Sequence, residues 1–574
     1  MVVWNLNDIY DFSQTGTLLK QVKEKAEKFA LYRKKLKNLS PKAFVNLLKE
    51  FEEITVLSAK ISSYADLWLS ENTASSERNA HEAKISEALT DIGNTLLFFS
   101  IWFKELPEKK AKIYIKSAGK YAYFLKRIRD FQKHSLDEKS EQLIRLKDLT
   151  GNETLTRMYD LFTNKFLYDW EGKKVQQAVI TKFFSDANAE KRKKAYQLVM
   201  KKYGEEETIL SELYKGIVND WRNENVKVRK YESPIAVRHL GNDIPAKAID
   251  SVLAVIRKNT PLFQEYFRLK AKILNIEMSR YHLYAPYQIK QKEYDYETSK
   301  KIVLETYKDF SPEFYAMAKK VFDENHVHAR LTENKRSGAF CYSITPQITP
   351  YVLLNHVNKP RDVSTMAHEL GHAVHSLFAH QQTIFTFHAG LPLAETASVF
   401  GEMLLFKKLV AKAEKKEKIA LLMQKLDDTY ATIMRQAYFI LFELQAHQMI
   451  AEGATVEDLN RAYRKNLNEQ FGGAVAVPEE FQHEWKYIPH IFHSPFYCYA
   501  YSFGNLLVLA LYNKYAKEGK SFIPKYIKIL SYGGSKSPYA ILKEVGIDIT
   551  QESFWQEGFN LIKKDVDELK KLVK

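Results

Sequence analysis

MAHELGHAVHSLFA runs from Met366 to Ala379, and its spacing predicts a helix. Leu370, Ala373, Val374 and Leu377 recur at three and four positions, which gathers them on one apolar face fit for burial. On the same helix His368 and His372 stand four residues apart, one turn along, so both imidazoles can reach a single metal ion. Glu369 follows the first of them and points to the open side of the metal, where a carboxylate can take a proton from water. The pattern HExxH also arises by chance on core helices in a chain with 16 histidines, so its flanks have to agree with it.

Downstream lies the question of a third ligand. A continuation HExxHxxGxxH would need a glycine at position 375 and a histidine at 378, where this chain has His375 and Phe378. The alternative is a carboxylate on a second helix. LPLAETASVFGE, Leu391 to Glu402, offers two: Glu395, just after Pro392, and Glu402, two helical turns further on the same face. One glutamate can hold the metal while the other orients a ligand imidazole from behind, and position favours Glu395 as the ligand and Glu402 as its support. Small and apolar neighbours argue against a merely solvated face. His375, His380 and His388 read as polar or packing histidines, since three protein ligands suffice, with His388 also open to a supporting place behind a ligand.

Upstream, the stretch Leu331 to Asn355 is rich in Thr, Ser, Ile, Tyr and Val and is broken by Gly338, Pro346 and Pro350. That pattern predicts a small sheet inserted in a helical protein, with Tyr351 to Asn355 a short strand just before the HExxH helix. Nearly everything else is helical in period, as in FVNLLKEFEEITVLSAKI within Pro41 to Glu105. The expected fold is therefore mostly α. The polar passage Ser185 to Lys194 separates two helical blocks and suggests an N-terminal helical lobe over 1–190 and a catalytic domain over 191–574.

WKYIPHIFHSPFYCYAYSFG, Trp485 to Gly504, gathers His490, His493, Tyr497, Tyr499 and Tyr501. Histidine and tyrosine are neutral donors suited to an oxyanion, although an aromatic core helix would read the same way. Glu443 and His447 are spaced i, i+4, but two groups make no metal site, and a buried hydrogen-bonded pair is expected. SYGGSKSP, Ser531 to Pro538, is a glycine turn that either moves with substrate or joins helices.

Composition narrows the class. At 574 residues and 45% hydrophobic, the chain is a globular protein large enough for more than one core. The net charge of +16 is spread along amphipathic segments such as AKAEKKEKIA, Ala411 to Ala420, with no nucleic-acid motif, so no nucleic-acid partner is expected. The longest apolar runs, Thr95 to Phe103 and Asn505 to Tyr512, are too short for a membrane span, and MVVWNLNDIYDF lacks the apolar run of a secretory signal. With only Cys341 and Cys498, both read as unpaired, a cytoplasmic location is expected.

Taken in order, HELGHAVHS, ETASVFGE, IPHIFHSPFYCYAYSFG and GGSKSP followed by Gly546-Ile547-Asp548 resemble the oligoendopeptidase F group of thimet-oligopeptidase-like (M3) zinc peptidases. WNLNDIY and SGAFCYSITPQITPYVLLNHV resemble that family too, so the likeness extends from Trp4 to about Asp548. It implies two helical lobes enclosing a deep channel with one zinc ion per chain on its floor, and short unstructured peptides cut internally. It carries the zinc ligands to His368, His372 and Glu395 and the general base to Glu369. Its transition-state histidine and tyrosine fall most naturally on His490 and Tyr497, with His493, Tyr499 and Tyr501 open to either role. The strand Tyr351–Asn355 is expected to pair with the substrate backbone, with Tyr351, Asn355 and Tyr501 as substrate contacts.

Overall fold

The computed structural model describes residues 3–289 and 292–573. The helical periodicity of the first hundred residues becomes two long helices, α1 (Pro41–Glu71) and α2 (Ser76–Glu105). Each begins at a serine: the Ser40 hydroxyl accepts from the Ala43 amide, and the Ser75 hydroxyl from that of Arg78. Pro41 fits the first turn of α1, where no amide is needed. Phe44, Leu47 and Leu48 of α1 and Phe99 and Phe103 of α2 are buried in one core, which continues to Tyr351 and Leu353 of the sheet described below.

The chain forms two compact units, each assembled from three separate stretches. The first comprises Met1–Gln132, Gln291–Leu409 and Lys514–Ile547, and the second Lys133–Lys290, Val410–Asn513 and Asp548–Lys574. A single cut at residue 190 does not coincide with this division. The polar passage around it is the start of a helix, Ala189–Glu205, whose cap Asn188 accepts from the amides of Glu190 and Lys191. Charge there marks a solvated helix start rather than a boundary, because units are defined by packing and not by continuity of the chain.

In the second unit a hairpin of β1 (Leu167–Trp170) and β2 (Lys173–Gln176) accompanies helices. Its interior includes a buried ion cluster in which Arg280 and Arg435 both pair with Glu484. In the first unit three short strands form the expected small sheet: β3 (Val327–His328), β4 (Phe340–Tyr342) and β5 (Tyr351–Leu353), in the order β3-β5-β4. β3 runs parallel to β5 and β4 antiparallel to it, with Cys341 opposite Val352. The HExxH segment lies on α3 (Pro360–Phe378), packed against this sheet. Pro360 opens α3, and the Asp362 carboxylate accepts from the amides of Val357 and Lys359, which fixes the approach to the helix.

Candidate active site

Residues Leu370, Ala373, Val374 and Leu377 of α3 are buried, as their spacing predicts, and the other side of the helix carries the two imidazoles. His368 Nε2 and His372 Nε2 are 3.1 Å apart, and each is 3.4 Å from one carboxylate oxygen of Glu395. Bonds of about 2.0–2.1 Å in a tetrahedron place donor atoms about 3.3 Å from one another, so this triangle has the size and chemistry that a zinc ion requires. His368 Nδ1 donates to Glu402 at 2.5 Å, which holds the ring and its tautomer, while His372 hydrogen-bonds the Ala394 backbone.

The two glutamates do not share one helix. The chain turns through Glu395, Thr396 and Ala397 before the helix Ser398–Lys412 begins, so Glu395 reaches the imidazoles from a turn and Glu402 from a helix. The turn is tied down: the Ser398 hydroxyl donates to the Glu395 carboxylate at 2.5 Å, and the buried Tyr526 hydroxyl donates to the Thr396 carbonyl at 2.9 Å. Gly371 permits the approach, since a Cβ there would lie 2.5 Å from Ser398 Cα and 2.6 Å from the Ala397 carbonyl oxygen. His375, also on α3, is buried and neutral, its pKa pushed down to about 4 by burial.

Glu369 is buried, and burial pushes its carboxyl up to about 7, with the charges of Glu395 and Glu402 acting in the same direction. The Cys341 backbone amide donates to it. Glu369, His368 and His372 line a cavity of ≈560 Å³ whose walls include Ala339 to Ser343 on and around β4, and Phe387, His388 and Ala389. Ser343 and Ser376 hydroxyls meet at 2.6 Å and join the end of β4 to α3.

The expected pairing of substrate with the strand at Tyr351–Asn355 does not hold. β5 is the centre of its sheet, so both of its edges are already paired and it offers no backbone to a substrate. Tyr351 is fully buried, stacked on His326 with centroids 4.0 Å apart, and its hydroxyl donates to the Asn5 carbonyl. The Asn355 side-chain amide donates to the carbonyls of Arg336 and Gly338, so it shapes the entry to β4. The edge strand in the cavity is β4. Sequence reasoning passed over Ala339–Ser343 because strand order is a property of the assembled sheet; the available signal was Gly338 ahead of a second short β-prone run.

In the second unit, His490, Tyr497 and Tyr501 come together. The rings of Tyr497 and Tyr501 lie 5.8 Å or less from a neighbour, with Tyr497–Tyr501 at 5.4 Å and His490–Tyr501 at 5.8 Å, and His490 stacks near-parallel to Tyr497 at 6.3 Å. All three are half-buried. The competing candidates are committed elsewhere: His493 pairs with Asp160 at 2.7 Å, and Tyr499 is buried with its hydroxyl accepting from Asn242 at 2.7 Å. Burial holds the His490 pKa down. Glu443 accepts from the Phe496 amide, whereas buried His447 makes no hydrogen bond, so the expected Glu443–His447 pair is absent among the described residues.

The family model of peptidase family M3 matches residues 183–561, and one described as oligopeptidase F matches residues 102–166. The chain belongs to peptidase family M3. By family it is a metal-dependent peptidase, and His368, His372 and Glu395 form a His-His-Glu group able to hold the ion. It is 26% identical to oligopeptidase PepF of Bacillus subtilis over 99% of this chain and 87% of that one. It is 27% identical to an oligoendopeptidase F homolog of Borreliella burgdorferi, covering 99% and 98% of the two chains. Among solved structures, a putative peptidase from Chlamydophila abortus shares the fold of this M3 peptidase at a TM-score of 0.89, with 24% identity over 99% and 98% of the chains. Oligoendopeptidase-F from Enterococcus faecium does so at 0.71, with 22% identity over 98% and 99%. No helix among the described residues is long and apolar enough to cross a membrane.

Proposed function

We propose that this M3 peptidase is a zinc-dependent endopeptidase that hydrolyses internal bonds of short, unstructured peptides. The observation that carries the reading is the triangle of His368, His372 and Glu395 donor atoms, 3.1–3.4 Å on its sides, beside the buried Glu369. A zinc ion held by His368, His372 and Glu395 would supply Lewis acidity, to acidify water and polarise the scissile carbonyl. Glu369 takes the proton from the attacking water and passes it to the leaving nitrogen, and its amide donor from Cys341 keeps the carboxylate aimed. Glu402 fixes the His368 ring through Nδ1. The outer edge of β4 supplies main-chain groups to an extended peptide, a mode of binding that tolerates many side chains. His490 and Tyr497 donate to the oxyanion and Tyr501 contacts the substrate, roles supported by the family resemblance and by their shared cluster. The unpaired thiols of Cys341 and Cys498 support a reducing, cytoplasmic setting.

The test is mass spectrometry of products from a pool of end-blocked peptides, with and without chelator, then with zinc restored. Internal cleavage that chelator abolishes and zinc restores is expected. Removal of C-terminal dipeptides only from free-ended peptides would make the enzyme an exopeptidase, and activity in metal-free protein would remove the zinc.

A further inference from the structure

The loop between α3 and the Glu395 turn is held from several sides, yet it leaves exposed one imidazole that lines the cavity. Thr383 and Thr386 are buried, with their hydroxyls 3.0 Å apart and the Thr386 amide donating to the Thr383 carbonyl. Phe385 stacks on Phe124 and Phe51, with centroids 4.3 Å and 5.1 Å away, and Phe387 is 2% exposed. The Gln382 side-chain amide donates to the Ser531 carbonyl, and the Gly534 amide to that of Thr386. His388, the next residue, is exposed in the cavity wall and has no hydrogen-bond partner among the described residues.

The glycine turn of SYGGSKSP makes this arrangement possible. A Cβ on Gly533 would lie 2.4 Å from the Phe387 carbonyl oxygen, and one on Gly534 would lie 2.3 Å from that of His388. Both obstacles are backbone atoms, which cannot rotate aside as a side chain does. Gly533 also has φ of 49°, in the left-handed region. The turn is therefore a fitted support for the loop.

We propose that His388 is a substrate-binding residue that hydrogen-bonds the peptide main chain from the cavity wall, and that Gly533 and Gly534 are positioning residues that hold it there. This rests on the endopeptidase reading above. Part of the His388 side chain is exposed, yet the protein around it partly desolvates the ring and lowers its pKa, so near neutrality the ring is uncharged, with one donor and one acceptor. That pair matches the alternating carbonyl and amide groups of a peptide backbone and gives no preference for an anionic side chain. Because the loop is already ordered, binding orders only one imidazole.

The experiment measures kcat, KM, zinc content and Tm for the zinc-loaded full chain and for His388→Ala, His388→Gln and Gly534→Ala, on three end-blocked peptides differing in side chains. His388→Ala should raise KM about tenfold for all three, with zinc and Tm unchanged. His388→Gln, which keeps a donor and an acceptor, should recover most of the loss, and Gly534→Ala should raise KM with zinc retained. An active wild type whose KM is unmoved by His388→Ala overturns this proposal alone. A loss that varies with the side chain overturns the main-chain contact, and zinc loss in His388→Ala makes the residue structural. An inactive wild type removes the endopeptidase reading and this inference together.

Discussion

An exposed glutamate is a weak base at neutral pH, because its conjugate acid has already lost its proton near 4.3. Glu369 is pushed up to about 7 by burial, where it can both accept and return a proton. Its function is separable from metal binding, since the three candidate ligands are other residues. Glu369→Gln should therefore retain zinc while kcat falls roughly two to four orders of magnitude, as metal analysis and kinetics on one peptide would show. Equal loss of both would mean that the carboxylate serves the metal. Glu395 and Glu402 separate in the same way. Glu395→Ala removes a donor from the triangle and should strip zinc at modest chelator concentration, whereas Glu402→Ala should weaken retention only about 10- to 100-fold through the His368 ring. Metal content after dialysis ranks the two, and the opposite order would exchange their roles.

Between elements, the close contacts set the geometry of the site. Gly371, the fourth residue of HELGH, lets α3 meet the Ala397–Ser398 backbone at distances a methyl group cannot share. Gly371→Ala should cost about 1–3 kcal/mol in denaturant unfolding and loosen zinc, because the strain falls on the turn that carries Glu395. A variant of unchanged stability and zinc affinity would show that the turn yields freely. In the second unit, the segment before Tyr497 is clamped: Arg238 donates to the Pro495 carbonyl and Ser494 hydroxyl, and the Phe496 amide, at φ 59°, donates to Glu443. Such preparation of one tyrosine suits a group that acts in the transition state. Tyr497→Phe should lower kcat by roughly 10²–10³-fold with little change in KM. A normal kcat would leave Tyr497 as packing and turn attention to Tyr501.

For the whole molecule, substrate size is the informative variable. An extended peptide adds about 3.3 Å per residue, so one that pairs with the three residues of β4 and also reaches across the metal group needs several residues on both sides of the cut bond. Pairing with an edge strand requires a chain that is already extended. Peptides of roughly six to twenty residues should be good substrates, with dipeptides, tripeptides and casein-sized chains poor ones. The measurement is kcat/KM over a ladder of unstructured peptides of one composition. Sustained cleavage of long chains and folded proteins would describe an open cleft and a general protease.

The mostly helical class and the placing of His368, Glu369 and His372 on one helix were legible without coordinates, because helical register is local: 3.6 residues per turn decides which side chains share a face. The ordered motifs carried the family for the same reason, each being a short run. What depended on distance along the chain was not legible. The turn at Glu395–Ala397 packs against Gly371, some 26 residues away, and no periodicity in LPLAETASVFGE reports it. That β5 is central and β4 the edge follows from β3 and β4 pairing on its two sides. The role of the glycine turn appears only where Gly533 and Gly534 meet a loop from the other end of the unit. The two units likewise draw on stretches far apart in the chain, since compactness depends on which surfaces pack, and packing is decided in three dimensions.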